Sequence, residues 1–268
     1  MNFLRRYLLA VQYFTRIPVT GALARWVGFD AALLRASAAH FPGVGWLVGI
    51  AACVVFAALL LALPPTGFTP LAAAVGCTVA SVLLTGGFHE DGLADVADGL
   101  GGSLDRQRAL EIMKDSRVGA FGAMALVLAL LAKVSLLAVL AVQSPLAAWA
   151  GLLAAHVLSR FWPLLLIRLL PHVGDEGASK SKPVADRIAP QALAVGLAWC
   201  VLPLVLAGSA MGPAFVVLAC AASGLALLAM WRLFARRLQG FTGDCLGATQ
   251  QVCEIAFYLG AAVALGVA

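Results

Sequence analysis

Charge is what this sequence has least of. Only 12% of its 268 residues are Asp, Glu, Lys or Arg, about half the share of an ordinary soluble domain. Hydrophobic residues make up 62%, for a mean hydropathy of +0.97. So little charge excludes a water-soluble globule and a disordered chain, and it leaves an integral membrane protein. The chain also lacks a CxxC pair. Its cysteines are Cys53, Cys77, Cys200, Cys220, Cys245 and Cys253, the first four inside apolar runs, where they read as small packing residues and neither zinc ligands nor a disulfide framework. A signal peptide is not expected. "MNFLRRYLLAVQYFTRIP" carries charge on both sides of a short apolar stretch and has no small-residue cleavage pattern, so it reads as an amphipathic surface helix. Internal repeats are lacking too, which counts against the many transporters built from repeated halves. No long polar stretch marks off a second domain, so residues 1–268 read as one membrane-embedded unit.

What is present is a series of apolar runs of about 20 residues, the length a helix needs to cross a hydrocarbon core of about 30 Å. Proline, glycine and charge punctuate them into seven expected spans near 41–63, 68–87, 118–142, 145–170, 190–210, 212–231 and 245–268. The expected fold class is therefore all-α, a polytopic helix bundle. Its connections sort by charge. Arg5, Arg6, Arg16, Arg25 and Arg35 precede the first span; Arg106, Arg108, Lys114 and Arg117 follow the second; Lys180, Lys182 and Arg187 follow the fourth; Arg232, Arg236 and Arg237 follow the sixth. The alternate loops "PPTG", "QSP" and "SAMG" have no Lys or Arg. The positive-inside rule then puts the N-terminus in the cytoplasm and the C-terminus outside. The net charge of +5 is accounted for by these loops, so no nucleic-acid partner is expected.

Against this background the acidic residues are unevenly spent. Of 13 in the chain, Glu90, Asp91, Asp95 and Asp98 fall within nine positions of "GGFHEDGLADVADGLGG", residues 86–102. On a helix, Asp91, Asp95 and Asp98 lie within roughly 60° of one another. Carboxylates so close repel unless a cation sits among them, and oxygen-only ligands select a hard ion, Mg²⁺ or Mn²⁺. A solvated acidic loop is the plain alternative, opposed by the interleaved Phe88, Leu93, Val96 and Leu100 and by the adjoining span. The glycines would let backbone approach a ligand or break the helix as it leaves the membrane. His89 reads equally as a ligand or base and as a loop histidine.

Three further places carry chemistry. In "DSRVGAFG", Asp115 and Arg117 stand just before the third span, where an acid and a guanidinium can face a metal-bound phosphate; Arg117 also suits a simple cytoplasmic anchor. In "GFTGDCLGATQQVCE", Asp244, Gln251 and Glu254 mark one side of a helix. Glu254 should lie about two to three turns inside the membrane, where a carboxylate is costly and functional by default. Its competing reading is packing, through Lys133 or Arg160. Within the fourth span, Arg160 is the best-placed group to reach an anionic substrate, with His156 four residues before it.

The acidic motif, "DSRVGAFG", "FTGDCLGATQQVCE" and the N-terminal "YFTRIPV" at 13–19 together resemble the cobalamin synthase family over most of the chain. The stretch 172–189 matches it least, which leaves Lys180 and Lys182 without a role. The resemblance implies a multi-pass enzyme of the bacterial cytoplasmic (inner) membrane, with its site facing the cytoplasm. It would join adenosylcobinamide-GDP to α-ribazole or α-ribazole 5′-phosphate, releasing GMP and requiring Mg²⁺. On that reading Glu90, Asp91, Asp95 and Asp98 hold one or two Mg²⁺ ions. Asp98 or Asp244 takes the proton of the attacking hydroxyl, and Arg117 supports charge on the phosphoryl oxygens. His89, Asp115, Arg160, Gln251 and Glu254 fall to substrate binding. The lipid bilayer is the remaining partner, and a homo-oligomer is left open.

Other membrane transferases solve a similar problem. CDP-alcohol phosphotransferases continue their aspartate motif with Ala-Arg, whereas Asp91-Gly92-Leu93 here leads to Ala94-Asp95. UbiA-type prenyltransferases share a DxxxD, which Asp91 and Asp95 mimic, but need a second acidic motif that Asp244 and Glu254 are too widely spaced to supply. An ion-coupled transporter could use Glu254, Lys133 and Arg160, but a clustered acidic site at one membrane face favours chemistry.

Overall fold

The computed structural model describes residues 2–174 and 188–267; Lys180, Lys182 and Arg187 lie outside the described residues. The amphipathic N-terminal segment forms α1 (Asn2–Phe14), followed by the short α2 (Gly21–Val27) and α3 (Ala31–Ser37). A 3-10 turn at Ala38–His40 carries α3 into α4 (Phe41–Ala62). Then come α5 (Thr69–Thr85), α6 (Phe88–Gly102), α7 (Arg106–Ile112), α8 (Ala120–Gln143), α9 (Pro145–Leu158) and α10 (Trp162–Leu169). The chain closes with α11 (Pro190–Met211), α12 (Pro213–Arg237) and α13 (Gly243–Val267). Among the described residues there is no strand, only an isolated bridge between His172 and Phe241.

Six stretches are long and apolar enough to cross a membrane: Ala31–Ala62, Ala120–Gln143, Pro145–Leu169, Pro190–Met211, Pro213–Arg237 and Gly243–Gly266. With the 17-residue α5 they make about seven, close to the positions expected from the sequence. Proline opens six of the helices, α4, α5, α9, α10, α11 and α12, at positions where its missing N–H has no intrahelical partner to lose.

The bundle is drawn together where glycines let backbones meet. A Cβ on Gly45 would stand 2.7 Å from Cα of Val157 on α9, and one on Gly260 would stand 2.8 Å from Cα of Ala219 on α12. The Pro145–Leu169 span is the most enclosed, with Ala147, Ala148, Ala154 and Ala155 fully buried. The outer spans instead expose large apolar side chains such as Leu61, Leu83, Leu128 and Leu225, as lipid-facing helices do.

The corner between α5 and α6 positions the acidic motif. Gly86 and Gly87 both take φ near +70°, and their N–H groups return to the carbonyls of Leu83 and Val82. This left-handed pair ends α5 and starts α6 at 90° to it. We read α5 as the span and α6 as lying across its end. The same end gathers other connections. Arg237 donates to the carbonyls of Leu100 and Ser103, Arg106 to that of Leu238, and the backbone N–H of Phe241 to Pro171. The connections after α6, α10 and α12 therefore meet at one face of the bundle.

Candidate active site

The acidic motif is helical, as its spacing predicts, and its four carboxylates differ in exposure. Asp91 is exposed, Asp95 is half-buried, and Glu90 and Asp98 are buried. Asp244 faces them from the first turn of α13, held by a hydrogen bond from the Thr242 hydroxyl at 3.1 Å. Two glycines make this crossing. A Cβ on Gly92 would stand 2.8 Å from the Asp244 carbonyl oxygen, and one on Gly247 would stand 3.3 Å from Cα of His89. The glycine of the Asp91-Gly92 pair thus serves the approach of another helix rather than that of a ligand.

The crowding has an electrostatic consequence. Burial, then Asp244, Asp91 and Asp98, push the Asp95 carboxyl up to about 7, because each neighbouring negative charge disfavours its ionised form. A divalent cation among these oxygens would remove that penalty. Among the described residues no three His, Cys, Asp or Glu side chains form a ready-made metal cage. The donor chemistry fits a hard cation nonetheless: Asp91, Asp95 and Asp244 offer oxygens only, and none of them is committed to a charged partner.

Asp98 is committed. Its two oxygens accept the backbone N–H of Gly119 at 2.7 Å and of Gly122 at 2.8 Å, closing the N-terminus of α8 from a different helix. The ideal Cβ positions of Gly119 and Gly122 fall on this carboxylate. "GAFG" is therefore the mould for Asp98.

Glu90 opens a polar chain into the bundle. Its Oε1 accepts from Gln251 Nε2 at 3.0 Å; Gln251 also donates to Gln250 at 2.9 Å, and Gln250 to Glu254 Oε2 at 2.6 Å. Glu254 Oε1 then takes Lys133 Nζ at 2.7 Å and the Tyr258 hydroxyl at 3.0 Å. Arg160, buried, donates to the His156 carbonyl at 2.8 Å and lies over the Phe41 ring, with Glu254 and Glu90 as its nearby counter-charges. Lys133, Arg160, Glu254 and Glu90 thus balance one another inside the bundle. The contact with Lys133 is the one that the packing reading of Glu254 names. Gln250, unremarked in the sequence, is the link between the two glutamates.

Other expected residues lie apart from the acidic set. His89 is buried and stacked on Phe41 at 5.6 Å, and burial holds its imidazole well below the usual range. Asp115 and Arg117 bind one another, with Arg117 Nε 2.9 Å from Oδ1, and this pulls the Asp115 carboxyl down to about 2. Arg117 is 87% exposed, so its side chain turns to solvent.

Beside the carboxylates lies an open groove of about 590 Å³ lined by Gln12, Thr15 and Arg16, by the Thr85–Phe88 corner, by Glu90 and Asp91, by Val118 just before α8 and by Leu126 within it. Its volume is within the range of small-molecule sites. Arg16 is the lining residue that charge counting had absorbed into the cytoplasmic anchors, although "YFTRIPV" already pointed to it.

A bundle of about seven spans with a carboxylate-lined groove at one end has the architecture of a membrane-embedded enzyme. The model of the cobalamin-5-phosphate synthase family matches residues 6–262, and the chain belongs to that family. An adenosylcobinamide-GDP ribazoletransferase of Polaromonas naphthalenivorans is 62% identical, covering 99% of this chain and 100% of its own length. Those of Leptothrix cholodnii and Shewanella piezotolerans are 46% and 41% identical, each over 96% of this chain and 94% of their own. The chain is accordingly a transferase of cobalamin biosynthesis. No solved structure matches it.

Proposed function

We propose that this enzyme joins adenosylcobinamide-GDP to α-ribazole or α-ribazole 5′-phosphate, releases GMP and requires Mg²⁺. Its site would face the cytoplasm from the bacterial inner membrane. The observation that carries the reading is the meeting of Asp91 and Asp95 of α6 with Asp244 of α13 beside an open groove. The names of its relatives supply the substrates.

Asp91 and Asp95 are the residues that would hold Mg²⁺. When bound, the ion supplies positive charge to the substrate's pyrophosphate and to the departing GMP. The ribazole 3′-hydroxyl attacks the phosphorus nearest cobinamide, and the bond from that phosphorus to the GMP oxygen breaks. Asp244, on a second helix and steadied by Thr242, takes the hydroxyl proton. Asp98 holds the start of α8, and with it Val118, against the groove. The Gln251–Gln250–Glu254–Lys133 chain fixes the rotamer of Glu90 from behind.

The direct test is purified protein in detergent with adenosylcobinamide-GDP and ribazole, with and without Mg²⁺, followed for GMP and the joined corrinoid. Turnover only with Mg²⁺ is expected. Equal turnover after exhaustive chelation would remove the metal from the scheme, and no turnover of any ribazole would remove the reaction.

A further inference from the structure

Among the described residues that line the groove, Arg16 is a cation that no function yet uses. Helix α1 ends at Phe14, and the Thr15 hydroxyl donates back to the Val11 carbonyl at 2.7 Å while accepting the N–H of Ile17 at 3.1 Å. This turn stops the helix and brings Arg16 out towards α5. Its backbone N–H is fastened to the Leu84 carbonyl at 2.7 Å. Its guanidinium lies flat against Gly86: a Cβ there would stand 2.8 Å from Cζ and 2.9 Å from Nη2. Gly86 therefore meets two demands, a left-handed corner and room for Arg16.

The backbone is thus pinned while the guanidinium is unemployed. Among the described residues no hydrogen bond or ion pair engages the Arg16 side chain, even though Glu90 and Asp91 line the same groove. Four other arginines around the acidic motif are engaged. Arg117 is paired with Asp115, Arg106 and Arg237 with backbone carbonyls, and Arg160 with His156. A simple anchor of the membrane surface needs no such fixed approach and no glycine cut away beneath it.

We propose that Arg16 is a substrate-binding residue that receives a phosphate group of the substrates in the groove, opposite the carboxylates. This rests on the function proposed above. A guanidinium suits the task because its planar fork binds two phosphoryl oxygens at once, and because the ion held by Asp91 and Asp95 would cover one side of a pyrophosphate and leave the other open. Two phosphates qualify by the same chemistry, the diphosphate of adenosylcobinamide-GDP and the 5′-phosphate of α-ribazole 5′-phosphate.

The test is steady-state kinetics of full-length Arg16→Gln and Arg16→Lys in detergent, with α-ribazole and with α-ribazole 5′-phosphate as acceptors. Loss of charge-assisted hydrogen bonds should raise a KM by about 10-fold or more in Arg16→Gln, with partial recovery in Arg16→Lys and an unchanged thermal midpoint. A higher KM for adenosylcobinamide-GDP with both acceptors assigns Arg16 to the diphosphate. A higher KM for the phosphorylated acceptor alone assigns it to the 5′-phosphate. Wild-type turnover with no KM altered in Arg16→Gln would overturn the proposal and leave the function standing, whereas an inactive wild type would count against the function itself.

Discussion

Lys133 Nζ lies 2.7 Å from Glu254 Oε1, with both side chains almost completely buried among membrane helices. Neither charge is tolerable there alone. Lys133→Met should lower stability by about 3–5 kcal/mol, and Glu254→Gln should do the same. The double variant should recover much of the loss, because it buries no unpaired charge. Thermal unfolding of the three variants in detergent decides it; additive losses would mean that the two groups do not act as a pair.

The motif's aspartates should separate by phenotype. Asp91→Asn is expected to abolish Mg²⁺-dependent GMP release at an unchanged thermal midpoint, since Asp91 is exposed and supports no other element. Asp98→Asn places an amide NH₂ against the N–H of Gly119 or Gly122 and should cost about 1–3 kcal/mol. Gly122→Ala should mimic it, because the new methyl falls on the same carboxylate. An Asp91→Asn enzyme with full activity would sink the proposed ligand set.

Gly92→Ala tests whether helix approach assembles the site. Its methyl would stand 2.8 Å from the Asp244 carbonyl oxygen, a backbone atom that cannot step aside, so α6 and α13 must separate at about 1–3 kcal/mol. GMP release should fall with it. Gly102→Ala is the control, since its methyl meets only the Ile112 Cδ1 at 3.3 Å, a side-chain end that can rotate away. Equal activities would show that the crossing distance is unimportant.

Asp95 predicts a pH dependence. Its folded carboxyl is raised to about 7 from 3.8, so the folded state holds a proton that the unfolded chain gives up near pH 4. The associated stability is fully present below pH 4 and is lost as pH rises to about 7. Metal-free protein should therefore melt progressively lower across that window, and Asp95→Asn should flatten the slope. Mg²⁺ should raise the midpoint more at pH 8 than at pH 5, because it binds the ionised form. A wild-type profile parallel to that of Asp95→Asn would refute this.

Much of the fold was legible because lipid imposes a local rule: each span must be about 20 apolar residues, and Pro and Gly mark its ends. The helical acidic motif was legible for a similar reason, since period 3.6 and mutual repulsion are properties of short stretches, whereas Asp244 came to the site only through the family resemblance. What escaped was set by distant partners. That Asp98 closes α8 depends on Gly119 and Gly122, more than 20 residues on. That Gln250 joins Glu90 to Glu254 depends on α6 crossing α13 at Gly92. Arg160 looked available for an anion because its counter-charges come from two other helices, and Arg16 looked like an anchor because the corner it lies against is 70 residues away.

The right angle at Gly86 and Gly87 has a consequence for how a bulky, two-part substrate can be served. Successive turns of a helix that continued α5 would carry each carboxylate about 5.4 Å farther from the end of the bundle than the last. Laid crosswise, α6 instead sets Asp91 and Asp95 side by side at one level, like fittings along a quay. On the function proposed above, a large substrate can lay its diphosphate along that row from the open side of the groove, without threading between the spans.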